Sequence, residues 1–202
     1  MLLCPTYIYA DSAGMASGYL ATADACGFGV GYIGGFAGIL DDGTSLFSSL
    51  TYGFSEYTEG RIKIGFIDGE GEASDPELLF GADFKYEFMD YNDKNGAQPL
   101  DMAFGGFLEY FDSGYFSVLQ IGGNLIASIP YRFQSGSRLI PYGRAGLRME
   151  KYSADSGVDD TDFQFGLNLG AKYELTTDMN LYAEFQADGL LGLFLGLDVR
   201  MF

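Results

Sequence analysis

Histidine is missing from all 202 residues, and so is tryptophan. The absence of histidine removes Ser-His-Asp and Cys-His catalysis, imidazole zinc sites and imidazole-based proton transfer. Cysteine is almost missing as well. Cys4 and Cys26 allow one disulfide at most, and neither has the neighbours that activate a thiolate nucleophile. Basic residues are few, 11 against 28 acidic ones, which leaves a net charge of −17. Phosphate backbones are bound through Lys and Arg that displace counterions, so nucleic acid is excluded as a partner. Long apolar runs are also lacking: no stretch of about 18 uncharged apolar residues exists, which excludes a transmembrane helix. Charged residues total 19%, below the roughly 25% usual in a soluble domain.

What is present is glycine and aromatic side chains: 30 Gly, 15 Tyr and 18 Phe. The length fits one domain. Residues 1–10, Met1 to Ala10, are apolar, end on Ile8-Tyr9-Ala10 and precede polar Asp11-Ser12; they are expected to be the remnant of an export signal. Residues 11–25 hold only Asp11 and Asp24 as charges, and are expected to form a periplasmic or lumen segment. Residues 26–202 are expected to form one β-barrel.

Alternation with period 2, which sends successive side chains to opposite faces of a strand, dominates from residue 26 onward. Phe163, Phe165, Leu167, Leu169, Ala171, Tyr173 and Leu175 share one face, against Gln164, Gly166, Asn168, Gly170, Lys172 and Glu174. The same split places Leu78, Phe80, Ala82, Phe84, Tyr86 and Phe88 opposite Leu79, Gly81, Asp83, Lys85, Glu87 and Met89. A helix needs apolar positions three and four apart, which these stretches lack. The alternation marks ten segments, near 26–40, 46–55, 60–68, 77–90, 101–112, 115–133, 138–153, 161–176, 179–188 and 190–202. Turn chemistry separates them at Asp41-Asp42-Gly43, Glu59-Gly60, Asn95-Gly96, Ser135-Gly136 and Thr176-Thr177-Asp178. The expected fold is all-β, an antiparallel up-and-down transmembrane β-barrel of ten strands, with eight as the alternative.

Four related strand ends repeat along the chain: Tyr52-Gly53-Phe54, Tyr86-Glu87-Phe88, Tyr131-Arg132-Phe133 and Tyr173-Glu174-Leu175. Each closes an even-numbered segment, so in an up-and-down barrel they meet at one rim. The two large side chains of each motif lie on the apolar face, which makes an aromatic belt of the kind a membrane interface selects.

A barrel with one apolar and one polar face can be built two ways: a soluble lipocalin-like barrel with its apolar face inward, or a membrane barrel with its apolar face to lipid. The polar face decides the matter. It carries Arg61, Lys63, Lys85, Arg144, Arg148, Lys172 and Arg200 against Asp83, Glu87, Glu109, Glu150, Glu174, Glu184 and Asp198, charges of both signs that can pair when buried. Glycines interleave with them, which suits a crowded lumen.

The repeated strand ends, the stretch Ile140-Pro141-Tyr142-Gly143-Arg144-Ala145-Gly146-Leu147 and the last strand resemble small bacterial outer-membrane β-barrel proteins, the OmpA/OmpW/OmpX-like class. In that class the last strand ends in an insertion signal; Gly196, Val199 and Met201 match its offsets, and Phe202 lies one residue beyond. Residues 13–25 are similar to the N-terminal segment of the larger fatty-acid-transporter-type barrels. The resemblance implies the bacterial outer membrane as location, membrane lipid as partner and no enzymatic activity.

Candidate chemistry is thin. The acidic connectors Asp68, Glu70, Glu72, Asp75, Glu77 and Asp155, Asp159, Asp160, Asp162 read as solvated loops. Asp90 to Gly96 has a calcium-loop look, but Lys94 takes a ligand position and Gly96 falls one residue late, so it reads as a turn. No catalytic, cofactor-binding or metal residue is assigned, and no cofactor. The expected function is an envelope scaffold or a narrow conduit for small-molecule or hydrophobic cargo, the alternative being a soluble lipocalin-like ligand-binding barrel.

Overall fold

The alternating segments are the strands of one antiparallel sheet that closes on itself. In the computed structural model, residues 16–41, 43–69, 76–91, 99–112, 116–154 and 159–202 are described. The strands are β1 (Gly31–Leu40), β2 (Gly43–Gly53), β3 (Thr58–Gly69), β4 (Glu77–Met89), β5 (Asp101–Asp112), β6 (Phe116–Ser128), β7 (Tyr131–Arg132), β8 (Arg138–Ala154), β9 (Asp159–Glu174), β10 (Met179–Asp188) and β11 (Leu190–Arg200). Each pairs with its sequence neighbour, except that β6 joins β8 directly and β1 joins β11 to close the ring. β7 is a two-residue ladder against Arg138 and Leu139 at the rim. The wall therefore has ten staves, and the ten-strand expectation holds over the eight-strand one.

Three boundaries differ from the sequence reading. The segment expected over 115–133 ends as β6 at Ser128, with Tyr131 and Arg132 in the separate β7. The first strand begins at Gly31 and not at residue 26. Gly27 and Gly29 both adopt positive φ, which breaks an extended course that the alternation alone suggests. Glu59-Gly60 is not a turn: both residues lie inside β3, and the chain reverses over Phe54 to Tyr57. There Phe54 and Ser55 donate their N–H groups to the Thr58 carbonyl at 2.9 and 3.3 Å. Asn95-Gly96 lies outside the described residues, as do the acidic positions 70–75 and 155–158.

Side-chain polarity is the reverse of a soluble barrel. Ile62, Ile64, Phe66, Phe80, Phe84, Leu167, Leu169, Phe185 and Leu195 face outward and exposed, while Lys63, Asp83, Lys85, Glu109, Arg144, Arg148 and Glu184 are buried inside. Away from the C-terminal rim, Phe36, Leu40, Phe47, Leu79, Phe111, Val118 and Phe194 form an apolar cap, and the charged residues Arg148, Glu150 and Asp188 are buried at the same end. Toward the C-terminal rim the lumen is polar.

Candidate functional site

Residues 16–26 do not join the sheet. They enter at the rim that carries Gly31 and Gly53 and run up the inside of the barrel to Ala16, which packs under the apolar cap. At the rim, Gly53 N–H bonds the Val30 carbonyl at 2.9 Å, and Gly29 N–H bonds the Gly53 carbonyl at 3.0 Å. Ala16, Ser17, Tyr19, Leu20 and Ala23 are buried almost completely.

The wall binds this segment through its peptide groups. Glu109 accepts the N–H of Ala16 at 2.7 Å and of Ser17 at 3.3 Å, and also the Ser17 hydroxyl. Glu184 accepts the N–H of Tyr19 at 2.9 Å and of Leu20 at 2.7 Å. Lower down, Ser128, Glu87 and Glu59 accept the N–H groups of Ala23, Ala25 and Cys26 at 3.1, 2.8 and 2.9 Å. Cations take the carbonyls. Lys63 donates to Gly18 at 2.7 Å, Arg61 to Tyr19 and Leu20, and Lys85 to Thr22 and Asp24, both at 2.7 Å. A buried peptide group without a partner is costly, and bonds to charged groups contribute about 1.5–3 kcal/mol each. The segment thus stays folded in place without strand pairing.

Two features fix its path. Gly18 sits at φ +56, and a Cβ there would meet the Phe194 ring at 2.9 Å. Leu20 is a left-handed non-glycine residue at φ 49, a conformation that persists only when its surroundings hold it. Here Glu184 and Arg61 grip its two peptide groups. The one large side chain of the segment apart from Leu20 is Tyr19. Its ring lies under three cations, with Arg144, Arg61 and Lys63 at 4.9, 5.4 and 5.9 Å from the centroid.

The charges also pair with each other. Asp83 lies 2.8 Å from Arg61 Nε and 3.0 Å from Lys63, and Lys85 lies 2.9 Å from Glu59. Asp188 bridges Arg144, at 3.2 Å, and Arg148, which also meets Glu150 at 3.2 Å. Such matching is what allows ionised groups to persist in a narrow lumen. Beside the segment, a polar cavity of 280 Å³ opens among Asp24, Cys26, Thr51, Glu59, Lys172 and Asp198. Burial first, and then the Glu59 carboxylate, push the Cys26 thiol up to about 12.

On the outside, Tyr52 contacts both Phe54 and Phe202, Phe88 stacks on Phe104 and Tyr131 meets Phe133. These exposed rings lie at the end that carries the C-terminus, and above them the outward positions are aliphatic or Phe. An apolar band with an aromatic girdle around a charged lumen is stable only with lipid outside and polar groups inside. The chain is built as a small transmembrane β-barrel with its apolar face to lipid. No family model and no curated protein matches the sequence. Among solved structures it is similar to the β-domain of the Bordetella autotransporter BrkA (11% identity, 85% of this chain and 99% of that one, TM-score 0.47). It is also similar to the KdgM porin (11%, 85% and 99%, 0.43) and the N-terminal barrel of Pseudomonas aeruginosa OprF (13%, 87% and 99%, 0.39). The membrane assignment itself rests on the inverted polarity of the wall.

Among the described residues, one group of three carboxylates comes together: Glu87, Asp90 and Asp101 bring oxygens within 4.8 Å of one another. Glu87 already accepts Ala25 N–H and Asp101 accepts Tyr91 N–H, so these acids fasten backbone at the rim. Of the lumen charges legible in the sequence, Arg200 is exposed at the rim. Glu109 and Glu184 do not act as simple partners for cations; they receive backbone N–H groups. Glu59 and Asp188 were absent from the sequence-based inventory. Adding them gives the lumen more acids than bases, and that imbalance is the signal that other donors must be present.

Proposed function

We propose that the protein is a non-enzymatic conduit of the bacterial outer membrane, held shut at rest by its own residues 16–26, for small or hydrophobic molecules. The observation that carries this reading is the filling itself. Wall side chains just fill a barrel of about eight strands; in this wider ten-stranded wall Ser45, Ser49 and Ser128 point inward and a separate stretch of chain occupies the space. Polar contacts hold that stretch along its length, while Ala16 and Leu20 pack against the apolar cap and Tyr19, Ala21 and Ala23 against Phe107 and Ile126. The lumen behind it combines an apolar cap with buried charged groups, a mixture suited to amphiphilic cargo. Glu109 and Glu184 support the non-enzymatic part: both oxygens of each are engaged by peptide N–H groups.

Single-channel recording in planar bilayers tests the proposal. The intact chain is expected to give only small, rare openings. Gly18→Val, which forces a side chain onto Phe194, is expected to raise open probability. Large steady channels from the intact chain would overturn the resting closure, and an unchanged closed state in Gly18→Val despite a displaced segment would overturn the conduit.

A further inference from the structure

The lumen recognises peptide and not merely these particular side chains. Over residues 16–26, seven N–H groups and five carbonyls are bound by wall side chains, those of Glu109, Glu184, Ser128, Glu87, Glu59, Lys63, Arg61 and Lys85. Carboxylates, and at Ala23 the Ser128 hydroxyl, meet the donors and cations meet the acceptors, alternating along the path. By contrast, the segment's own polar side chains make fewer contacts with the wall: the Ser17 hydroxyl meets Glu109 and Lys63, and Asp24 lies 3.6 Å from Lys172. Ala16, Gly18, Ala21, Ala23 and Ala25 have no polar side-chain atoms, and the lumen accepts them by size.

We propose that the barrel interior is a binding site for an extended, slim polypeptide: small residues flanking one aromatic residue, which seats under Arg61, Lys63 and Arg144. Residues 16–26 are its resident occupant. A second peptide of the same profile, supplied in trans, is the ligand class the site takes. The inference stands on the backbone contacts and does not require that the barrel conduct, so it can fail or hold independently of the conduit.

The chemistry sets the expected selectivity. Every amino acid carries the same N–H and C=O groups, so side-chain swaps that keep the bulk small leave the bonds to Glu109 and Glu184 in place. Replacing an amide hydrogen by a methyl group removes a donor from a buried carboxylate, which costs about tenfold or more in binding. The aromatic seat is the exception. Tyr19→Phe keeps the ring over the cations, and Tyr19→Ala removes it.

The full chain tests this when a protease site is placed between Phe28 and Gly29, where Phe28 is exposed and Gly29 has open space. The folded protein is cut there, denatured with all its parts and refolded into detergent with an excess of labelled peptide. A labelled copy of residues 16–26 is expected to replace the native segment in proportion to its excess, as are copies with Thr22→Ser and Ala23→Ser or with Tyr19→Phe. Copies N-methylated at Ser17 and Leu20, or carrying Tyr19→Ala, are expected to be taken up about tenfold less. Equal uptake of the N-methylated copy, or a barrel that refolds and excludes every copy, would overturn the proposal. Should the cut chain not refold, hydrogen exchange on the uncut chain reads the same property. Ser17, Tyr19 and Leu20 amides should stay protected in Thr22→Ser/Ala23→Ser and lose about tenfold protection or more in Glu109→Gln/Glu184→Gln. The opposite ranking would overturn it equally.

Discussion

The Cβ that Gly53 lacks would land on the carbonyl oxygen of Gly27. The last residue of β2 and the first turn after the lumen segment are therefore in backbone contact. Any side chain at residue 53 must push the 27–30 turn away from the wall, and with it the bonds that Gly53 makes to Val30 and Gly29. Gly53→Ala is expected to preserve the barrel, since the wall pairing of β2 is otherwise untouched, and to loosen the segment. Hydrogen exchange should show faster amides at Ala25 and Cys26 with unchanged β2 and β3. Unchanged exchange at residues 25 and 26 would mean that the rim contact does not anchor the segment.

Lipid contact predicts an asymmetry between neighbouring faces. Leu169 faces outward in register with Phe185, and Leu169→Arg places a charge in the apolar band at a cost of about 2–4 kcal/mol near the midplane. Thr51→Lys points a charge toward the polar cavity beside Glu59 and Asp198. Folding into lipid vesicles should be impaired far more by the first. Equal impairment would argue against the assigned polarity.

The two rims should also be distinguishable in cells. The aromatic girdle, the C-terminal Phe202 and the 175–178 turn share one end, expected to be periplasmic. β3 and β8 end, and β4 and β9 begin, at the opposite end, so the connectors at 70–76 and 155–158 join strands there. Protease added to intact cells is expected to cut only at those connectors; cuts confined to 175–178 would invert the topology.

Cys26 offers a reporter of whether the segment is seated. Only the thiolate reacts with alkylating reagents, and a free cysteine titrates near about 8.5. With the folded thiol pushed up to about 12, it is neutral at pH 8, and its thiolate fraction grows only as the pH climbs toward that value. In a Cys4→Ser background, alkylation at pH 8 should be much slower in the folded protein than in denatured chain and should accelerate with rising pH. Gly18→Val should bring the folded rate up toward the denatured one. A fast rate in the unaltered fold would show Cys26 free of Glu59 and of its burial.

The wall was largely legible from sequence because its physics is local. Phe163 to Leu175 alternates without a break, and each residue's face in the fold follows from that alternation alone. The girdle was legible for the same reason: Tyr52, Tyr86 and Tyr131 mark it by their place at the ends of strands running one way. The lumen was less so. Glu109 and Glu184 look like any inward carboxylate; their partners are peptide groups 92 and 164 residues distant, which no spacing rule connects. Peptide groups are the same at every position, so a site that reads them leaves no residue pattern. The false start at residue 26 has a related cause. Alternation counts side chains, and Gly27 and Gly29 have none with which to announce the turn.

Phe36 and Phe194 lie on β1 and β11, the two strands most distant in sequence, where Gly38 pairs with Phe194 and Phe36 with Gly196. Phe194 also backs directly onto Gly18. The seam that joins the ends of the sheet is thus the place where the threaded chain is clasped. The seam ladder and the clasp share the Phe194 ring, so a change at that one residue reaches both the closure of the wall and the seating of the chain inside it.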